Sequence, residues 1–586
     1  MKTKILFACI ALLLSVTGVF ANVYFGNIHA HTSFSDGFGT PEEAFSYAWQ
    51  TGAVQIQGVT DHGHDLNYPL PDGAWKFDRT GTAALAATIP GEFLAIRGYE
   101  WTLTGQGHIT IYTTDSWMDR GRAGLFEIYE WMESQQAIAQ FCHPGKKYGD
   151  FFDFTPVPRA DAFVQLCEVG NGAGSTNNVI KEEYLDRYRR ALTRGWHVGA
   201  TANQDNHDTN WGTANQARTA FVMDELTIDC LYKAMRERST YATEDANALV
   251  GFWCDRGKMG QVIWDTQPAT LTLSYSDAME PLRLAEVHLP GQVFPLEVSG
   301  DSFEVCWTLP GGKPYTWCFV RLVQMDGNEI VTSPIWFQSP SGAYLLNPEW
   351  STLFQVSSRP FFFSFDLVNT NPNPVTLAVQ VFGDTEPRLE ERFWLPGMEA
   401  TRVTMQLDSP ATRVELLVNG QLSGTLFPRF KRFFAMLDTT HENYFLRELA
   451  PLIELMERAG GAVSPLLGEL NPQSLKDPDL LLLPLPDPQS FLPEFMVLSP
   501  DQIELLEAFV QQGGTLVIVL AKAPVDFPEF DSYRQLLERL GLPDILQDGG
   551  TRIDPGVFAE NILFLSWEQA CGEEPLPVDF LSLLSF

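Results

Sequence analysis

Eight of the chain's ten histidines fall within its first 207 residues, and most of them stand beside an acid at the end of an apolar, strand-like run. In order they read Gly26-Asn27-Ile28-His29-Ala30-His31, Ser35-Asp36-Gly37, Thr60-Asp61-His62-Gly63-His64, Gly98-Tyr99-Glu100, Gly107-His108, Phe141-Cys142-His143-Pro144 and Gln204-Asp205-Asn206-His207. Imidazole nitrogen and carboxylate oxygen suit zinc, manganese or iron, whereas structural zinc and iron–sulfur sites are rich in thiolate. Alternate residues of a strand point to one side, so His29 and His31 are spaced to grip one ion together, as are Asp205 and His207. The chemistry implied is that of a polynuclear metal site.

The elements that must carry these groups alternate along the chain. Residues 23 to 28 read as a strand, and Thr40-Pro41-Glu42-Glu43 starts a helix with threonine as N-cap, proline at N1 and glutamate at N3. Further apolar runs cover residues 54–60, 93–98, 108–112, 137–141, 162–167 and 197–202, with helical stretches at 121–134 and 178–193. Strands alternating with helices predict a largely parallel sheet, and this many repeats predict a barrel. Nearly every acid and histidine then falls at the carboxyl end of its strand, where such barrels carry their chemistry.

The series HxH, SDG, TDH, GxE, GH, HP and DxH, in this order and spacing, resembles the polymerase and histidinol phosphatase (PHP) superfamily. Gly98-Tyr99-Glu100-Trp101-Thr102 and Asn203-Gln204-Asp205-Asn206-His207, followed by Asn210-Trp211-Gly212, are similar to its secreted carbaryl-hydrolase-like branch. The resemblance covers about residues 22 to 245. It implies a distorted (βα)7 barrel with two or three divalent ions, and a metal-bridging hydroxide as the attacking group. His29, His31, Glu100 and Asp205 would hold one ion. Glu100, His108 and His143 would hold a second, and Asp36, His62 and His207 a third. Two departures, Asp36 where some members have histidine and Asn206 where a small residue is common, bear on the third ion alone.

Other polar residues near these motifs have two readings each. His64 is either a substrate contact or a solvated neighbour of His62. Lys146 and Lys147 either meet an anionic substrate at the barrel mouth or are exposed loop lysines. Glu168 ends a strand and is expected to line the pocket, Asp61 to orient His62, and His197, which begins a strand, to be structural.

The 586 residues carry 45% apolar content, enough for several cores. Met1-Lys2-Thr3-Lys4, an apolar run from Ile5 to Leu14 and Val19-Phe20-Ala21 have the form of a signal peptide over residues 1–21, which predicts a periplasmic or extracellular protein with no membrane anchor after cleavage. Cleavage removes two lysines and no acid, taking the net charge from -34 to -36. No basic run offers a phosphate path, so nucleic acid is excluded and a small substrate favoured.

Residues 246–342 and 343–428 read as two β-sandwich domains of short strands broken by Gly and Pro, serving as spacers or as carbohydrate or envelope contacts. Cys306 to Cys318 is symmetric about Gly312, and a hairpin turning there would face the two cysteines for a disulfide. Cys142 and Cys167 are expected to face away from the site and pack in the core. Residues 429–586 return to α/β and resemble the glutamine-amidotransferase-like, flavodoxin-like domains of secreted proteins. No cysteine stands in a strand-to-helix elbow there, so a noncatalytic role is expected, with His441 as a ligand contact at most. The chain as a whole is read as a multidomain α/β plus β protein, a metal-dependent hydrolase favouring phosphoesters. The alternatives are a carbamate, amide or aryl-ester hydrolase and an inactive metal-stabilised envelope binding protein.

Overall fold

The computed structural model describes residues 22–576 apart from 104, 146–147, 174–178, 299, 314, 347–353, 357–360, 384–386, 408–412, 427–428, 432, 439, 442–448, 460, 467–469, 473, 477, 487–496, 521–529, 543–561 and 573. The expected signal peptide, Lys146 and Lys147 therefore lie outside the described residues. Among the described residues no helix is long and apolar enough to cross a membrane.

Nine strands organise the first unit: β1 (Val23–Asn27), β2 (Ile56–Val59), β3 (Leu94–Leu103), β4 (Gly107–Tyr112), β5 (Ile138–Cys142), β6 (Val164–Asn171), β7 (Gly199–Asn203), β8 (Arg218–Val222) and β9 (Thr240–Thr243). Neighbours from β1 to β7 pair in sequence order, in a sheet that curls on itself. Its two ends meet where Asp205 N donates to His29 O and His31 N to Asn206 O, each at 3.0 Å. The helix after β1, Pro41–Thr51, begins with the capping box expected of Thr40 and Glu43.

One strand breaks the expected parallel pattern. β4 is antiparallel to both β3 and β5, and no helix separates it from β3. Only four residues lie between Leu103 and His108, too few for a crossover, so the chain turns back as a hairpin. His108 is the second residue of its strand, and the reversal brings that beginning to the rim where the neighbouring parallel strands end.

After β5 the chain makes a left-handed turn without glycine. Phe151, Phe152, Asp153 and Phe154 have φ of 59°, 51°, 53° and 50°. L-residues in this region cost roughly 1–2 kcal/mol each, so the turn must be held from outside. Asp150 Oδ1 accepts from Asp153 N at 3.1 Å, and the buried Asp153 carboxylate takes a two-pronged contact from Arg190, with Nε 2.7 Å from Oδ1. The Phe151 ring packs against Phe141, tilted to it by 31°, at 4.0 Å between ring centroids.

The unit that follows is a sandwich whose second sheet is continuous with the first unit. One layer contains Leu249–Cys254, Ala269–Ser276 and Ser302–Leu309. The other contains Leu282–Leu289 and Tyr315–Gln324, and reaches β9 through Ile330, Val331 and Thr332 opposite Thr243, Ala242 and Tyr241. Trp317, Phe319, Val331 and Trp336 pack into the core shared with β5 to β7. A β-rich unit over residues 343–431 follows. Residues 434–565 then carry five parallel strands in the spatial order Ala462–Pro465, Phe434–Leu437, Leu480–Pro484, Thr515–Val519, Ile562–Leu565. The capping box of Ser499 and Gln502 is present there.

The expected hairpin about Gly312 does not form. Ser302–Leu309 pairs with Ala269–Ser276, while Tyr315–Gln324 pairs in the opposite layer. The chain crosses between the layers, tied by Gly312 N to Thr266 O at 2.7 Å. Trp307 stacks on Phe252, Trp317 on Phe319, and each indole is buried on its own sheet. Cys306 is exposed beside Thr272 Oγ1, Cys318 is buried, and both are free thiols. A nonreducing peptide map of the unfolded, alkylated protein should therefore return both cysteines as alkylated thiols. A peptide linking Cys306 to Cys318 would contradict the two-layer crossing.

Candidate metal centre

The closure of the ring sets the geometry of its rim. β1 and the segment after β7 are held side by side, so His29, His31 and Asp205 converge: Asp205 Oδ1 lies 3.4 Å from His29 Nε2 and 3.1 Å from His31 Nε2. The β3–β4 hairpin supplies Glu100 and His108, and β5 ends at His143, whose φ of 27° departs from the strand. Glu100 sits at the middle, only 1% exposed. Its oxygens lie 3.6 Å from His29, 3.6 Å from His31, 2.9 Å from His62, 3.1 Å from His108 and 3.2 Å from His143.

Among the described residues four sets of side chains come close enough to hold an ion: Glu100, His108 and His143; His29, Glu100 and Cys142; His29, His143 and Asp205; and His31, Asp36, His62 and His207. Asp36 joins the last set by 3.4 Å contacts to His62 Nε2 and to His207 Nε2. That set is open to solvent, with Asp36 55% and His207 36% exposed, whereas the set of Glu100, His108 and His143 is enclosed. The half-buried Tyr148 lies over its two imidazoles, 4.6 Å from His108 and 4.7 Å from His143 between centroids. Asp205 and His207 do not share a set as strand alternation predicts. Asp205 has φ 45°, and the turn it makes sends the two side chains to different sets.

The donors fit divalent ions. His29 Nε2 and His31 Nε2 face each other at 3.3 Å, and the buried His108 Nε2 and His143 Nδ1 make no hydrogen bond. Converging lone pairs of this kind call for a cation or for bound protons. Burial works against the charge on Glu100, but His108, His29 and His62 hold its pKa well below the usual carboxylate range. Burial likewise opposes charge on His62, yet Glu100 and Asp36 push its pKa up to about 10. His29 is raised well above its ordinary value, burial being outweighed chiefly by Asp205. Burial takes His108 down to about 4 against the pull of Glu100.

Beneath the rim a second layer of buried groups fixes the rim side chains. Glu168 Oε1 lies 3.0 Å from His29 Nδ1, which leaves His29 Nε2 for the rim. The same carboxylate accepts from His143 N at 2.8 Å, Asn171 Nδ2 at 2.9 Å and Asn203 Nδ2 at 3.0 Å. Sequence reasoning placed Glu168 at the pocket but missed this role, because no local motif joins residues 139 positions apart. Asp61 departs from expectation. It accepts from Thr32 N and Ser35 Oγ and orders the turn beside His31, while His62 faces Glu100. Cys142 departs too. As the last inward residue of β5 it lies beneath the rim close to His29 and Glu100, where burial pushes its thiol up to about 12. Cys167 packs in the core. His64 stacks on His62 at the solvent side, and His197 is held by Asp161 away from the rim, as its structural reading requires.

No protein-family model and no curated protein matches the chain. Among solved structures it is similar to a two-domain protein containing a predicted PHP-like metal-dependent phosphoesterase from Bacteroides vulgatus, at 14% identity and a TM-score of 0.32, over 53% of this chain and 95% of that one. It also overlaps a DUF4785 family protein from Legionella pneumophila at 15% identity and a TM-score of 0.13, over 31% of this chain and 56% of that one. Escherichia coli alpha-2-macroglobulin overlaps at 12% identity and a TM-score of 0.21, over 36% of this chain and 24% of that one. At TM-scores this low the overlaps assign neither family nor activity, and the functional reading rests on the rim.

The role of Glu168 is open to a direct test. Glu168→Gln keeps the size of the side chain but removes the charge that fixes His29, and should weaken metal binding about 10–100-fold. Competition with a chelator measures this, and an affinity equal to that of the parent protein would contradict the orienting role.

Proposed function

We propose that the protein is an exported, metal-dependent hydrolase of the PHP kind, a phosphoesterase acting on a small substrate at the rim of the β1–β7 ring. The observation that carries this reading is Glu100, a buried carboxylate within 3.6 Å of five imidazoles. The ring is then a distorted (βα)7 barrel, and the C-terminal five-stranded unit is flavodoxin-like and noncatalytic. Export rests on the two lysines and apolar run at the N-terminus, and a small substrate on the net charge of -34.

In this reading Glu100, His108 and His143 hold one divalent ion. His29, His31, Glu100 and Asp205 would hold a second, and Asp36, His62 and His207 a third. Zinc, manganese or iron suits these donors, and when bound such ions supply positive charge at the electrophile and leaving oxygen and a nucleophile at neutral pH. The chain's own part is orientation and access. Glu168 fixes His29, Asp61 acts on His31 through Ser35, and Tyr148 covers the inner side. Substrate approaches over Asp36 and His207, past His64. Clustered cations match the oxygens of a phosphate, which favours a phosphoester over a carbamate or aryl ester.

Two outcomes test the reading. The purified full chain should contain two or more equivalents of divalent ion and turn over phosphomonoesters or phosphodiesters, and Glu100→Gln should lose both. Turnover confined to carbamates or aryl esters would move the assignment to carbonyl chemistry, and bound metal without turnover would make the protein a binding protein. The second outcome concerns pH. His62, pushed up to about 10, is protonated at neutral pH without metal and must lose its proton to coordinate, and His29 is shifted in the same direction. Metal binding should release protons at pH 7, and affinity should fall as pH is lowered. Calorimetry in buffers of different ionisation enthalpy measures the release, and zero release would contradict it.

A further inference from the structure

The left-handed turn Phe151–Phe154 touches both arms that present the Glu100, His108 and His143 set. Phe151 N donates to Gln106 O at 3.0 Å, in the turn between β3 and β4. Its ring fills the space over Gly107, where a Cβ would lie 2.2 Å from Phe151 Cε1, directly beside His108. The same ring packs at a tilt against Phe141, two residues before His143. One aromatic wedge thus spaces the hairpin from β5, and no glycine in the turn relieves its backbone strain.

What holds the turn is a line of buried charge that ends in another unit of the protein. Asp153 is clasped by Arg190. Arg194, one helical turn further along Glu182–Thr193 and at its end, places Nε 3.9 Å from Asp153 Oδ2 and Nη1 3.1 Å from Asp366 Oδ2. Asp366 lies on the strand Phe361–Asn369 of the β-rich unit, 172 positions away in sequence. All four side chains are at most 7% exposed. Removing one of these buried charges unbalances the set and weakens its hold on the others.

We propose that Asp153, Arg190, Arg194 and Asp366 form a positioning device that holds the Phe151 wedge and so sets the spacing of Glu100, His108 and His143, making the β-rich unit over residues 343–431 a support of the metal centre. This rests on the proposed metal reading. It assigns the β-rich unit a role that the spacer interpretation denies it.

The test uses the full chain loaded with zinc, and follows release of each equivalent to excess chelator. Asp366→Asn and Phe151→Leu should each speed release of one equivalent about tenfold or more, leaving the others unchanged. In a His108→Ala background, which lacks that ion, Asp366→Asn should change nothing further. Phe151→Leu alters no charge, so it carries the test if the Asp366 variant does not fold. Unchanged release in a folded variant overturns the proposal while leaving the metal reading intact, and so does equal acceleration of every equivalent. A parent protein that binds no zinc overturns the metal reading and this inference with it.

Discussion

Glu100 and the five imidazoles around it set the terms for the rest of this protein. A carboxylate can be removed from water only if its lone pairs are met, and here they are met by nitrogens that themselves carry lone pairs unless protonated or bound to metal. Protons satisfy the arrangement poorly, because the rings compete: Glu100 and Asp36 draw a proton to His62, while burial drives one from His108. Cations placed between the groups would relieve every member at once. The ring must therefore be rigid enough to keep the donors at these spacings in their absence.

Rigidity comes from an interior that is polar where a barrel is usually apolar. Thr201 Oγ1 and Asn203 Nδ2 both donate to Gln140 Oε1, while Asn203 and Gln140 also donate to Glu168. Asn203 Oδ1 accepts from Ile28 N, and Asn27 Oδ1 from Gln204 N, so β1 and β7 are joined by side chains where their backbones part. A fully connected network of this kind is stiff, and each member fixes another's orientation. It ends at Glu168, and through Glu168 at His29 and His143.

The cluster of acids and imidazoles at the rim was legible in the sequence because its members come in short phrases at strand ends, and a phrase such as HxH fixes geometry locally. What lay between the phrases was less legible. The reversal of β4 depends on the length of one connection, and it is this reversal that brings His108 to the rim. The symmetric stretch from Cys306 to Cys318 fits a hairpin and a crossing between layers equally well, and only the apolar surfaces waiting for Trp307 and Trp317 decide between them. The left-handed turn at Phe151 carries no glycine to announce it. Its conformation is imposed by Asp153, Arg190 and the packing of Phe151, contacts that exist only in the folded chain.

Anomalous diffraction from crystals of the metal-loaded protein, recorded at the absorption edge of the bound metal, tests the central claim most directly. The account predicts peaks between Glu100, His108 and His143 and between His29, His31 and Asp205, with Glu100 reaching both. A map with no peak at the rim, or with its peaks elsewhere on the chain, would contradict it.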